Sequence, residues 1–152
     1  MTISFLTRRT FISGFSLFLL APSAMAASLP AVLAYRNPGC GCCEKWMEHM
    51  KAAGFPITME DDDNLAARKA AFGVPANLSG CHTAVIGKYV FEGHVPPADI
   101  EIFLAEAPDA LGLSVPGMPI GSPGMEVGDQ KDAYDVLLML GDGSSRVYRS
   151  YS

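Results

Sequence analysis

Positive charge is scarce in this chain: 11 Lys and Arg stand against 16 Asp and Glu in 152 residues. Arg8 and Arg9 lie in the N-terminal segment, so the remainder carries nine basic and sixteen acidic residues, a formal charge of −7. No basic patch is present, which argues against a nucleic-acid partner. Beyond residue 26 no apolar run is long enough to cross a bilayer, and no repeat or second core is visible. The acidic run Asp61-Asp62-Asp63-Asn64 lacks the spacing and the glycine of an EF-hand, so a calcium loop is set aside. Cysteine is sparse too, four residues in all, and three of them fall within Cys40–Cys43. A bridge inside that run closes almost no loop, and vicinal Cys42-Cys43 could pair only with strain. A structural disulfide framework is therefore the weakest explanation of these cysteines.

What is present begins with Met1–Ala26, a basic start, an apolar run from Phe11 to Leu20 and a closing Ala24-Met25-Ala26. That pattern is a secretory signal peptide, and Arg8-Arg9 suits a twin-arginine signal as well as an ordinary one. The expected destination is a bacterial periplasm, with residues 27–152 as one domain and no membrane insertion in the mature form.

Ala31–Arg36 reads as a strand ending at Asn37-Pro38-Gly39, and Cys43–Ala53 as a helix with Trp46, Met47, Met50 and Ala53 at helical spacing. A strand at Phe55–Met59 comes next, then an N-cap at Asp61–Asn64 and a helix over Leu65–Phe72. Cys81–Pro96 reads as a hairpin turning at Gly87-Lys88, and Pro97–Ala107 as a helix opening on proline. The order β-α-β-α-β-β-α is that of an α/β, thioredoxin-like domain. Leu111–Lys131 is expected as a Gly/Pro-rich loop without periodicity, followed by an added hairpin, Tyr134–Leu140 with Arg146–Tyr151.

The chemistry concentrates at "NPGCGCCE", Asn37–Glu44. Cys40 and Cys43 spell C-x-x-C at a helix start, where unpaired N–H groups and the helix dipole favour thiolate, a nucleophile and a metal ligand. If Ile86 pairs with Tyr89, then Cys81 lies opposite His94, and both converge on the three-cysteine turn. His82 is expected on the other sheet face, and His49 toward solvent. The echo Pro116-Gly117-Met118 and Pro123-Gly124-Met125 offers thioethers in a stiff loop, and thiolate with thioether selects Cu(I). Zinc would use the cysteines but has little use for methionine. Cysteines this crowded are poorly placed to surround one tetrahedral ion and well placed to bridge several. The metal ligands expected are therefore Cys40, Cys42, Cys43, Cys81, His94, Met118 and Met125. The competing reading is a thiol–disulfide oxidoreductase using Cys40 and Cys43, against which Gly80-Cys81-His82 stands where thioredoxins place a cis-proline.

The blocks "CGCCEKW", "GCHTAVIGKYVFEGHVP" and "GLSVPGMPIGSPGME" resemble the CopG-like copper-resistance proteins of Gram-negative bacteria, across nearly the whole mature chain. The resemblance implies a thioredoxin-like domain in which Cys40, Cys42, Cys43 and Cys81 bridge a cluster of several copper ions. It also implies a periplasmic role interconverting Cu(I) and Cu(II), with copper-efflux or electron-transfer proteins as partners.

Overall fold

Residues 28–152 are described in a computed structural model, and the expected signal peptide, residues 1–26, lies outside them. The first strand, β1 (Val32–Arg36), buries Val32 and Ala34 and runs parallel to β2 (Ile57–Asp61). Between them α1 (Gly41–Ala52) starts directly after Cys40 and buries Cys43, Trp46 and Met50, one side chain per turn. After β2, α2 (Leu65–Ala71) begins at Asn64, whose side chain makes no capping bond. Asp62 instead braces the turn before the helix, accepting the Asn64 N–H at 2.9 Å and pairing with Arg68.

The hairpin of β3 (His82–Ile86) and β4 (Tyr89–Gly93) has the expected register, with Ile86 opposite Tyr89 and Thr83 opposite Glu92 as its end pair. Strand β3 runs antiparallel to β1, and α3 (Pro97–Glu106) comes after β4. The order β-α-β-α-β-β-α is thus the one the sequence predicts. Beyond α3 the chain departs from that expectation. Leu111–Lys131 is not loop throughout: Gly112–Val115 form β5, fully buried and parallel to β4. A strand covered on both faces has no polar–apolar alternation to betray it. The closing hairpin, β6 (Tyr134–Met139) and β7 (Ser145–Tyr151), pairs onto β5 and so extends the same sheet. Seven strands result, in the order β2-β1-β3-β4-β5-β6-β7.

Two apolar clusters divide the faces. Trp46 and Met50 of α1 join Ile100 and Phe103 of α3 over Ala84, Ile86, Phe91 and Leu113. Val74 and Leu78, next to α2, pack with Val90 and Met139 on the opposite face. The helices thereby cover both sides of one sheet, and the start of α1 stands beside the ends of β3 and β4. No helix among the described residues is long and apolar enough to cross a membrane.

Candidate metal centre

Four sulfurs meet where α1 begins. Cys81, the residue before β3, has its Sγ 3.1 Å from Cys40 Sγ, 3.2 Å from Cys42 Sγ and 3.1 Å from Cys43 Sγ. Cys40 and Cys42 Sγ are 3.5 Å apart. Cys40 and Cys43 are joined as a disulfide, while Cys42 and Cys81 are free thiols. Burial and the neighbouring Cys42 thiol push the Cys81 thiol up to about 12, so it is protonated at neutral pH in the metal-free protein. A metal ion supplies the positive charge that reverses this preference, and binding then releases the proton.

A buried buttress fixes the Gly80-Cys81 backbone. Glu92, fully buried on β4, accepts the Gly80 N–H at 2.7 Å and the Thr83 hydroxyl at 2.7 Å. It also pairs with Lys69 of α2, whose ammonium donates to Thr83 Oγ1 at 3.0 Å. A buried charge pair survives only when its remaining hydrogen-bonding capacity is satisfied, and here it is.

Behind the sulfurs stand two buried imidazoles. His82 packs its ring on Trp46, centroids 4.3 Å apart, and meets His94 edge-on at 5.0 Å. His82 shares the face of Ala84 and Ile86, which is the α1 face, so the expectation that it points away from the thiols is corrected. The alternation argument fails because Cys81 and His94 lie beyond the last ladder pair, and Gly93, at φ +72°, turns His94 back toward α1. Donor atoms of Cys81, His82 and His94 lie within 4.8 Å of one another. Burial holds His82 well below its usual 6.5, with His94 and Lys69 adding to the effect, and burial lowers His94 as well. Both rings are therefore neutral and keep lone pairs.

The loop over residues 116–133 covers this face. Gly117 forms a parallel bridge with Gly80, placing the first Pro-Gly-Met beside the Cys81 segment, yet Met118 itself is 56% exposed. The second repeat presses on α1. A Cβ at Gly124 would stand 2.7 Å from Trp46 N and 2.8 Å from Cys42 O, and the Pro123 carbonyl accepts from His94 Nδ1 at 2.8 Å. Met125 and Cys42 line one cleft on this side. His49 reaches the loop, its Nε2 2.7 Å from Glu126 Oε1. Although burial alone would raise Glu126, the Gly124 N–H and His49 hold it below the usual carboxylate range. A separate cavity of about 440 Å³ reaches Cys81 from the α2 side, lined by Asn37, Asp63 and Lys69 among others.

Comparison with known proteins matches residues 78–125 to a family model described as "Protein of unknown function, DUF411". That span carries Cys81, His82, His94, Met118 and Met125. Curated proteins contain no match. Two solved structures, named copper resistance protein CopG form 2 and form 1, are each 44% identical to this chain. Each covers 81% of this chain and 98% of its own, with a TM-score of 0.77. The chain belongs to the CopG family. In this CopG-family chain the three motif blocks named from sequence are the three segments that meet at the thiols. Sequence reasoning missed His82, whose signal was the face it shares with Ala84, and Glu92, a lone acid in an apolar strand.

Proposed function

We propose that this chain is an exported copper-binding protein of copper resistance, working in the periplasm and holding several Cu(I) ions through bridging thiolates. Cys40, Cys42, Cys43 and Cys81 are the bridging ligands in this reading, and His94, Met118 and Met125 complete the coordination. One observation carries it: Cys81 Sγ stands 3.1–3.2 Å from the sulfurs of Cys40, Cys42 and Cys43, which come from a distant segment of the chain. Thiolate sulfur has several lone pairs and can bridge, and soft donors select Cu(I) over harder ions. Copper is the cargo here, so its chemistry lies in the protein's ability to change coordination around it. The disulfide withdraws two of the four sulfurs, so full loading requires its reduction by two electrons and two protons. Interconversion of Cu(I) and Cu(II), and exchange with efflux or electron-transfer proteins, belong to the same reading.

The test is an anaerobic Cu(I) titration of the reduced protein, read by native mass spectrometry. More than one Cu(I) per chain is expected, and a stoichiometry of zero or one overturns the proposal.

The Cys40–Cys43 disulfide favours a second reading, a thiol–disulfide oxidoreductase. Against it stands the loop, which pairs with Gly80 and packs on the α1 start where a protein substrate would need access. Rapid insulin reduction by the metal-free protein would favour this second reading.

A further inference from the structure

The three aspartates before α2 have different fates. Asp61 pairs with Arg36 at 2.8 Å, and Asp62 pairs with Arg68 while accepting the Asn64 N–H. Asp63 is exposed and enters no ion pair among the described residues. It lines the cavity of about 440 Å³ on the α2 side, whose wall also includes Asn37, Asn64, Ser79, Gly80 and Cys81. The one cationic side chain in that wall, Lys69, is already matched by the buried Glu92. One unbalanced charge is left in the lining, and it is negative. Cys81 is the only cysteine in this lining, and its Sγ stands 3.1–3.2 Å from the sulfurs of Cys40, Cys42 and Cys43. An ion that meets Cys81 is thus within one step of every other sulfur. The cleft on the loop side, which reaches Cys42, has no such imbalance. Its Glu44 and Glu126 are held by Arg36 and His49, and its Lys45 and Glu48 carry opposite charges.

We propose that the α2-side cavity is the entry route of a soft cation to the sulfurs, with Asp63 steering the ion into it and Cys81 as the first sulfur met. The inference deepens the copper-binding proposal and rests on it, and it concerns how the ion arrives. A charge in a cleft with low-dielectric walls focuses the field and raises the local concentration of ions of the opposite sign. Such steering acts on the association rate, and it is screened by salt. The Debye length falls from about 30 Å at 0.01 M to about 3 Å at 1 M ionic strength. Asp63 is a positioning residue in this account, so losing its charge changes the rate of loading and leaves the number of bound ions as it was.

The probe is Ag(I), a soft monovalent cation that persists in water as the free ion. Reduced protein is mixed with Ag(I) in chloride-free buffer by stopped flow, and the ultraviolet thiolate–Ag(I) band follows association. At about 0.01 M ionic strength Asp63→Asn is expected to slow association about threefold and Asp63→Lys about tenfold, the low end of what steering supplies. Both differences are expected to vanish near 1 M, a salt dependence that a merely structural role for Asp63 does not produce. Ala66→Phe places a ring in the cavity from the exposed side of α2 and is expected to slow entry at every salt concentration. Glu48→Gln, in the loop-side cleft, is expected to load at the wild-type rate. Unchanged rates in both Asp63 variants at low salt, an equal slowing at high salt, or a larger effect from Glu48→Gln than from Asp63→Asn overturns the inference. Should Ala66→Phe not fold, the two Asp63 variants decide. Wild-type Ag(I) stoichiometry with rates indifferent to Asp63 overturns this inference alone, and a reduced wild type that takes up neither Ag(I) nor Cu(I) overturns the copper-binding proposal with it.

Discussion

Glu92 has no route to the metal, yet at the scale of single residues it decides where Cys81 stands. It accepts from Gly80 N–H and Thr83 and neutralises Lys69 in the interior. Glu92→Ala leaves that ammonium buried without its counter-charge, a change of about 3–5 kcal/mol. Urea unfolding of the variant tests this, and a loss below about 0.5 kcal/mol, the size of an ordinary surface substitution, would sink the idea. His82 makes a pH prediction. Its folded-state value is depressed below 6.5, so the unfolded chain binds the proton more readily. The associated stability is present above pH 6.5 and lost as pH falls below it. Metal-free protein unfolded at a series of pH values checks the sign, and a midpoint independent of pH across that window contradicts it.

At the scale of elements, the contact between the loop and α1 depends on Gly124, which sits at φ +88° with Cys42 O and Trp46 N in the space a Cβ needs. Gly124→Ala is expected to lift Pro123–Met125 off the helix, release His94 Nδ1 and cost about 1–3 kcal/mol, the usual range for overpacking. Thermal unfolding reads the cost, and the imidazole N–H resonance of His94 in NMR reads the release. An unchanged resonance would show that the backbone accommodates the methyl. The elements themselves were largely legible. The helical spacing of Trp46 and Met50, the Gly87-Lys88 turn and Pro97 at the start of α3 are local signals, and each element formed where its signal stood. Strand β5 was hidden because both its faces are covered. Hairpin register led to the expectation that Cys81 and His94 meet, and their donor atoms do lie together, whereas the orientation of His82 did not follow from it. Gly93 ends the ladder with a left-handed residue, and no spacing rule reports how a chain turns after its last paired residue.

At the scale of the whole molecule, residues 116–133 leave the sheet from β5 and return to it at β6, its antiparallel neighbour. Ser114 is paired with Leu137, so the two ends of the loop lie close together. Replacing 116–133 with a short turn is therefore expected to give a folded protein, since loop length enters stability only weakly. Circular dichroism and a cooperative melt check the fold, and an unfolded product would show that the loop is needed for the sheet. The C-terminal strand is anchored independently: Tyr151 donates to the buried Asp99 at 2.8 Å, and Arg149 pairs with the same carboxylate.

The Gly80–Gly117 bridge and the Gly124 contact are two of the loop's seams with the rest of the molecule, and neither involves the sheet's own hydrogen-bonded ladders. The chain thus writes its architecture and its cover in separate passages of sequence. On the copper-binding reading proposed above, substitutions in the passage between Pro116 and Ala133 change the cover while the scaffold stays constant, so a lineage of such proteins is free to vary it without having to rediscover how to fold.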